Sequence, residues 1–429
     1  MNKKMNFQSL TVMGLGYIGL PTAAAFASRK LKVCGVDINE KAVNTINRGE
    51  IHIVEPELDI VVHSTVTEGF LKASLTPESA DAFIIAVPTP FKENKEPDLS
   101  YIEAAASAIA PVIKKGDLII LESTSPVGAT EHMAKGLAEF RPDLNIPVEN
   151  RARGEFDVFI AHCPERVLPG HVMKELVEND RIIGGMTASC AEKAKALYQV
   201  LVEGRCYLTD VRTAEMAKLT ENSFRDVNIA FANELSIICD ELSINVWDLI
   251  RLANKHPRVN ILRPGAGVGG HCIAVDPWFI VSQSPAHANL IKTAREVNDY
   301  KPNWVIQKVE KEVQLFLSKN PNIHASKVKI ACLGLAFKPD IDDLRESPAL
   351  QIARELEAQY PKQVTLVEPN VEEIPNGFVS KLEHDIERAI EVSDVIAVLV
   401  PHSQFKEHAK LISSQAHVVD ATGLNDLEI

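Results

Sequence analysis

The chain has no apolar run long enough to cross a membrane as a helix. Its longest such stretches, Val395-Ile-Ala-Val-Leu-Val400 among them, are strand-sized, far short of the ~20 residues a spanning helix needs. Positive charge is also in deficit: 45 Lys and Arg against 58 Asp and Glu leave a formal net charge of -13. That argues against a nucleic-acid surface, which needs clustered basic residues, though a local Arg/Lys pocket for an anionic ligand stays possible. No CxxC pair occurs among the seven cysteines (34, 163, 190, 206, 239, 272, 332). Scattered thiols of this kind read as reduced and cytoplasmic, and no metal centre is expected. Met1-Asn-Lys-Lys imitates the charged start of a leader, but the apolar stretch after it runs straight into Gly14. That stretch reads as a strand and turn, so neither a leader nor membrane insertion is expected. Finally, no glycine or proline occurs from Arg205 to His256. The spacing predicts one helix from Thr213 to about Leu242, ~45 Å long at 1.5 Å per residue.

What is present begins with a nucleotide-binding pattern. Leu10-Thr-Val-Met13 is a short apolar run that ends in Gly14-x-Gly16-x-x-Gly19, with Tyr17 and Ile18 inside the turn. Helix-forming Thr22-Ala-Ala-Ala-Phe-Ala27 follows. Strand, glycine turn and helix are the context in which the glycines let a pyrophosphate approach the backbone and the helix N-terminus. A second strand, Lys32 to Asp37, ends in an acid placed to grip a ribose 2′-hydroxyl and to repel a 2′-phosphate. The expected cofactor is therefore NAD. Two more strands run into Pro88-Thr89-Pro90 and into Glu122-Ser-Thr124. Ligands of doubly wound sheets sit beyond the carboxyl ends of the strands, so Thr89 and Thr124 are expected to face the cofactor, while capping the following helices is compatible with that.

Three further groups stand out. Val158-Phe-Ile-Ala161 leads to His162-Cys-Pro-Glu165-Arg166-Val167, where the carboxylate and guanidinium suit either acid–base and anion-binding work or a plain surface ion pair. On the long helix Lys218, Asn222 and Arg225 fall at i, i+4 and i+7, one polar stripe. It fits a solvated face, or a half-buried one that holds an oxyanion or phosphate. After His256-Pro-Arg258 comes Pro264-Gly-Ala-Gly-Val-Gly269-Gly-His-Cys272, with Asp276 four residues on. Four glycines in six positions let a ligand approach closely, and a cysteine just past such a loop is a candidate nucleophile; alone, the stretch is equally a tight turn that contains a thiol.

Beyond a polar stretch at Lys311–Lys327 the αβ pattern restarts at Lys329, and Ser393–Pro401 echoes Ala80–Pro88. This weak repeat predicts a second, smaller Rossmann-like domain without a dinucleotide site of its own. Its opening turn carries Lys338 and, in Asp342-Asp-Leu-Arg345-Glu-Ser, an arginine.

Taken together these residues resemble the UDP-glucose/GDP-mannose dehydrogenase family over nearly the whole chain. The matching pieces are the glycine turn, Val87-Pro-Thr89-Pro, Ser123-Thr124-Ser-Pro126-Val, Pro164-Glu165, Lys218-x-x-x-Asn222, Gly269-Gly-x-Cys272 with Asp276, and Lys338 with Arg345-Glu-Ser. The resemblance implies an α/β fold, with two Rossmann-like doubly wound domains joined by a long central helix and a homodimer built on that helix. It implies an NAD-binding domain at 1–205, a central helical domain with the cysteine loop at 206–319 and a nucleotide-sugar-binding domain at 320–429. The expected reaction is NAD-dependent four-electron oxidation of the C6 hydroxyl of a UDP-sugar. Where UDP-glucose dehydrogenases have a lysine just before the aspartate of the cysteine motif, this chain has Val275. That departure, with His256-Pro-Arg258, resembles the branch acting on UDP-N-acetylhexosamines and leaves Lys218 to serve alone.

The residues suit that chemistry. A thiolate at Cys272 would trap the C6 aldehyde as a thiohemiacetal, and the thioester formed by the second oxidation is hydrolysed by water. Lys218 and Asn222 would steady the oxyanion, and Glu165 would activate the water with Thr124 and Asp276 orienting it. Arg166, Val167, Lys218, Asn222, Arg225, His256, Arg258, Gly269 and Lys338 are the expected substrate contacts. Gly14, Gly16, Tyr17, Ile18, Gly19, Asp37, Thr89, Thr124 and Arg345 are the expected cofactor contacts. Two rivals differ in hydride stoichiometry. A β-hydroxyacid dehydrogenase makes one NADH and needs neither Cys272 nor a third domain, and a silent NAD-binding protein makes none.

Overall fold

The computed structural model describes residues 7–424 apart from 54, 93 and 169; the charged opening residues 1–4 lie outside that range. The chain forms two compact units, residues 1–221 and 222–429.

The first unit is built on strands β1 (Ser9–Met13), β2 (Lys32–Val36), β3 (Leu71–Ser74), β4 (Ala82–Ile85), β5 (Leu118–Leu121), β6 (Phe159–His162), β7 (Arg181–Gly185) and β8 (Cys206–Asp210). Their order in the sheet is β3-β2-β1-β4-β5-β6-β7-β8. Continuous apolar runs such as Ala82-Phe-Ile-Ile85 and Leu118-Ile-Ile-Leu121 are buried on both faces, as a parallel sheet covered by helices requires. Alternate residues feed two cores. Val12, Ile84 and Ile120 pack on one face, and Met13, Ile85 and Ile119 on the other. The first six strands are parallel in the dinucleotide-binding order, and the order reverses between β1 and β4. Strand β7 then joins β6 antiparallel, and β8 pairs parallel with β7.

The second unit has strands β9 (Ile330–Leu333), β10 (Val364–Val367), β11 (Leu382–Glu383), β12 (Val395–Val398) and β13 (Val418–Asp420), in the order β11-β10-β9-β12-β13. All its pairs are parallel, so it repeats the winding of the first sheet in a smaller form. Val305 and Val309 of the helix Asn289–Lys319 complete its core with Ile352 and Leu356. The α/β fold with two Rossmann-like sheets expected from the sequence is thus present. So is the long helix, Val211–Glu241, within which the boundary between the two units falls. No helix among the described residues is long and apolar enough to cross a membrane.

Candidate active site

The glycine turn is shaped by three different constraints. Gly14 has φ +90°, its N–H donates to the Val36 carbonyl at 2.8 Å, and a Cβ there would lie 2.6 Å from the Ala86 oxygen. A Cβ on Gly19 would lie 1.7 Å from the Gly14 oxygen, so only glycine lets the helix Gly19–Ser28 start this close to β1. Around Gly16 nothing lies within 4 Å, which leaves open the space a pyrophosphate needs beside a helix N-terminus. Tyr17 is half-buried against the core, and Ile18 precedes the helix. Asp37 accepts the Leu15 N–H at 2.9 Å and the Asn39 N–H at 2.8 Å. Each carboxylate oxygen keeps a lone pair for a ribose hydroxyl. The residues present therefore fit NAD. Thr89 donates to the Thr124 carbonyl at 2.5 Å and Ser123 to the Val87 carbonyl at 2.6 Å, tying the loops after β4 and β5 together.

Glu165 follows β6 and is buried, with Oε1 lacking a hydrogen-bond partner among the described residues. Burial raises its proton affinity, opposed by Lys218, by Arg181 and by the N–H groups of Val167 and Arg166. Arg166 does not pair with Glu165. Its guanidinium forms an ion pair with Glu221 on the long helix at 2.8 Å and donates to the Asp180 carbonyl at 3.2 Å. Arg166, Val167 and Lys218 do come together, lining with Glu221, Tyr207 and Thr213 a cleft of about 820 Å³.

In the second unit the cysteine loop is pinned along its length. The Gly265 N–H donates to Asn233 Oδ1 at 2.9 Å. Gly267 has φ +147°, and a Cβ there would meet the Pro348 ring at 2.8 Å. A Cβ on Gly269 would be 2.4 Å from the Glu346 oxygen, and one on Gly270 2.8 Å from the Phe337 ring. The Gly270 N–H donates to the Arg345 carbonyl at 3.2 Å. The loop therefore lies flush on the turn after β9, the turn that carries Lys338 and Arg345. Cys272 is half-buried, and its carbonyl accepts the N–H groups of Val275 (3.0 Å) and Asp276 (2.8 Å). These bonds lead into the helix Asp276–Gln283, whose Pro277 sits in the first turn. Asp276 is buried, and its Oδ2 accepts Asn222 Nδ2 at 2.5 Å. Arg225, His256, Arg258 and Lys338 are exposed, and Arg345 is held by Asp343 in a forked pair at 2.6–3.0 Å.

In the second sheet Glu368 takes the place at the end of β10 that Asp37 takes after β2. It is fully buried, and accepts the Leu335 and Ala336 N–H groups at 2.7 and 3.0 Å. His402 also bonds it at 2.9 Å. Turned inward in this way it has nothing to offer a ribose, in keeping with the absent glycine fingerprint.

Several residues that build these sites belong to no motif. Arg181 is fully buried at the start of β7, and Glu122 lies buried at the end of β5 beside the Tyr198 hydroxyl, 3.1 Å away. Asn233 is buried too, bonded through Asn298 to Asp226 and Arg295. The legible signal was a charge set directly against an apolar strand, as in Leu-Ile-Ile-Leu-Glu122 and Arg181-Ile-Ile.

Profiles of the UDP-glucose/GDP-mannose dehydrogenase family match the chain in three stretches: its NAD binding domain over residues 8–202, its central domain over 212–300 and its UDP binding domain over 331–426. A UDP-N-acetyl-D-mannosamine dehydrogenase of Campylobacter jejuni is 63% identical over 405 residues, 94% of this chain and 97% of that protein. One of Yersinia pestis is 61% identical over 421 residues, 98% of this chain and all of that protein. Among solved structures, a UDP-D-ManNAc dehydrogenase from Pyrococcus horikoshii is 39% identical, with TM-score 0.85, over 97% of this chain and 96% of that one.

Proposed function

The chain belongs to the UDP-glucose/GDP-mannose dehydrogenase family and binds NAD, and from that premise we propose that it oxidises the C6 hydroxyl of UDP-N-acetyl-D-mannosamine to the carboxylate. The substrate is that of its 61–63% identical relatives, and Val275, where UDP-glucose enzymes have lysine, agrees with an N-acetylhexosamine. The product, UDP-N-acetyl-D-mannosaminuronate, would serve surface-polysaccharide synthesis of the enterobacterial common antigen type, in the cytoplasm.

The observation that carries the mechanism is the Asn222–Asp276 bond at 2.5 Å. It links the helix bearing Lys218 and Asn222 to the helix that begins four residues past Cys272. When bound, NAD takes up one electron pair in each of the two oxidations. Cys272 Sγ adds to the C6 aldehyde, and the resulting hemithioacetal becomes a thioester. Asn222, aimed by Asp276, and Lys218, one helical turn away, donate to the oxygen that gains charge. Glu165, whose burial favours uptake of a proton, takes one from the water that releases the acid, with Thr124 and Asp276 orienting that water. Arg166, Val167, Arg225, His256, Arg258, Gly269 and Lys338 hold the nucleotide sugar, and Arg345 the cofactor. For Arg166 this means exchanging or sharing its bond to Glu221.

The division of labour we propose is NAD binding at 1–205, the Lys/Asn helix and cysteine loop at 206–319, and nucleotide-sugar binding at 320–429. A homodimer on the long helix is supported by Phe224, Phe231 and Ile238, which recur every seven residues and are 70%, 51% and 44% exposed. The reading is tested by NADH yield with UDP-N-acetyl-D-mannosamine, its N-acetylglucosamine and N-acetylgalactosamine analogues, and UDP-glucose. Two NADH per mannosamine sugar, with that sugar preferred, is expected; one NADH per sugar, or a preference for UDP-glucose, would overturn it.

A further inference from the structure

Behind Glu165 lies a buried charge cluster that the mechanism above does not use. Strand β7 is the reason it exists. Its antiparallel register with β6 pairs Ala161 with Gly185 and His162 with Gly184. Strand β7 begins at Arg181, three residues before that pairing, so the antiparallel run brings Arg181 alongside the loop that follows β6 and carries Glu165. On the other side, β5 pairs parallel with β6, Leu121 against His162, and the Cys163 N–H donates to the Leu121 carbonyl at 3.1 Å. Glu122 therefore emerges beside Cys163, on the same face of the sheet as Ile120 and Ala161. One antiparallel and one parallel neighbour deliver Arg181 and Glu122 to the strand end from which Glu165 emerges.

Among the described residues the polar contacts of this cluster are few. Glu122 accepts the Tyr198 hydroxyl at 3.1 Å and the Thr22 hydroxyl at 3.4 Å. The Arg181 guanidinium sits 5.5 Å from the Tyr198 ring centre and donates to the Leu176 carbonyl at 3.4 Å. Among the described residues, Nε and Nη1 of Arg181 and Oε1 of Glu165 have no hydrogen-bond partner. A buried guanidinium left so sparsely bonded is held mainly by charge, and the anions available to it are these two carboxylates. Resting on the reading of Glu165 as a base, we propose that Glu122 is a positioning residue: it and Glu165 share the field of Arg181, and the charge on Glu122 sets the proton affinity of Glu165.

The charge of Glu165 is felt at Glu122. Burial pushes Glu122 up to about 7; Arg181 pulls it down and Glu165 pushes it further up. Glu165 is likewise raised by burial, with Lys218 and Arg181 drawing it down. Arg181 also faces the thiol of Cys163, which burial raises to about 12 and which stays neutral, as does Tyr198. Repulsion between two carboxylates is reciprocal, so a negative Glu122 holds a proton on Glu165 to higher pH, and the two titrate as a pair. Neutralising Glu122 should make Glu165 a carboxylate at lower pH.

The test uses the full-length enzyme and three single variants, Glu122→Gln, Tyr198→Phe and Glu165→Gln. Proton loss from Glu165 is followed by the infrared carboxyl band that disappears in Glu165→Gln, alongside NADH formation against pH. In Glu122→Gln, which keeps an acceptor for one hydroxyl and offers its amide N–H to the oxygen of the other, the Glu165 transition and the acid limb of the rate profile should move down by about one pH unit. Tyr198→Phe removes the donor that stabilises the Glu122 carboxylate and should shift both the same way by less. A transition that stays in place in both variants overturns the inference, whatever happens to the rate, because a purely structural role scales the rate without moving the profile. The underlying reading is judged separately: Glu165→Gln with parental turnover would refute Glu165 as the base, whereas an inactive Glu165→Gln with an unmoved Glu122→Gln profile refutes only the role of Glu122.

Discussion

One substitution, made at two glycines three residues apart, should fail for opposite reasons. At Gly19 an added methyl would sit 1.7 Å from the Gly14 carbonyl oxygen. A tolerable carbon–oxygen approach is roughly 3.3 Å, so main chain must yield by about 1.6 Å. The obstructing atom is backbone in the same turn and cannot rotate away. Gly19→Ala should therefore cost about 3 kcal/mol or more, the upper end of overpacking, and lower the urea midpoint of the first unit. At Gly16 nothing lies within 4 Å and φ is not in the positive region. Gly16→Ala should leave the unliganded fold unchanged or firmer by about 0.4–1 kcal/mol, through the stiffer unfolded chain. Its methyl instead occupies the space kept for the pyrophosphate. Overpacking there of about 1–3 kcal/mol corresponds to NAD binding weakened roughly 5- to 150-fold. Urea unfolding and calorimetric NAD titration of both variants decide the matter. A Gly16→Ala protein that binds NAD like the parent, or that unfolds as early as Gly19→Ala, would refute the assignment of the turn.

Asn233→Ala removes the acceptor of the part-buried Gly265 N–H and the buried donor to Asn298; it should cost about 1–3 kcal/mol, read by urea unfolding, and slow turnover by loosening the base of the cysteine loop. Lys301 is buried over Trp304 and donates to Ser236 at 2.5 Å, and burial lowers its pKa from 10.5 to about 7. The unfolded chain therefore holds the extra proton between those values, so stability should rise with pH from about 7 to 10 by up to about 4 kcal/mol; Lys301→Met should flatten that slope, and equal slopes in parent and variant would contradict the assignment. Phe231→Glu, on the exposed apolar row of the long helix, should turn a dimer into a monomer by sedimentation velocity, with an unchanged mass in the two proteins as the contrary result.

How far the sequence could be read depended on how local the cause was. Strands β1, β2, β4, β5 and β6 announce themselves as apolar runs ending in polar loops, and the glycine- and proline-free stretch became the helix Val211–Glu241. Strand β7 was not legible. It begins with a charge and ends in Gly184-Gly185, residues that look like a turn. A Cβ on Gly185 would strike the Thr187 oxygen of the following turn at 2.3 Å, and one on Gly184 the Asp210 oxygen at 2.6 Å, and the second contact exists only once β7 and β8 have paired. The same holds at the candidate site. Cys272 stands out from its own glycines, but the surface they lie against, Phe337 and Pro348, is more than sixty residues away. Arg166 reads as half of a local pair with Glu165, yet its partner is Glu221.

The central claim is that the second oxidation passes through sulfur at Cys272, and Cys272→Ser tests it most directly. The glycine loop around it admits a substrate carbon without steric conflict, and serine keeps the shape while losing most of the nucleophilicity. The first oxidation does not need sulfur; trapping the aldehyde does. With UDP-N-acetyl-D-mannosamine and NAD, binding of both should be nearly normal in the variant. Net formation of the uronic acid should fall by several orders of magnitude. A serine enzyme that still produced two NADH per sugar at close to the parental rate would contradict the account and leave oxidation to proceed through a hydrated aldehyde, with Glu165 acting on water.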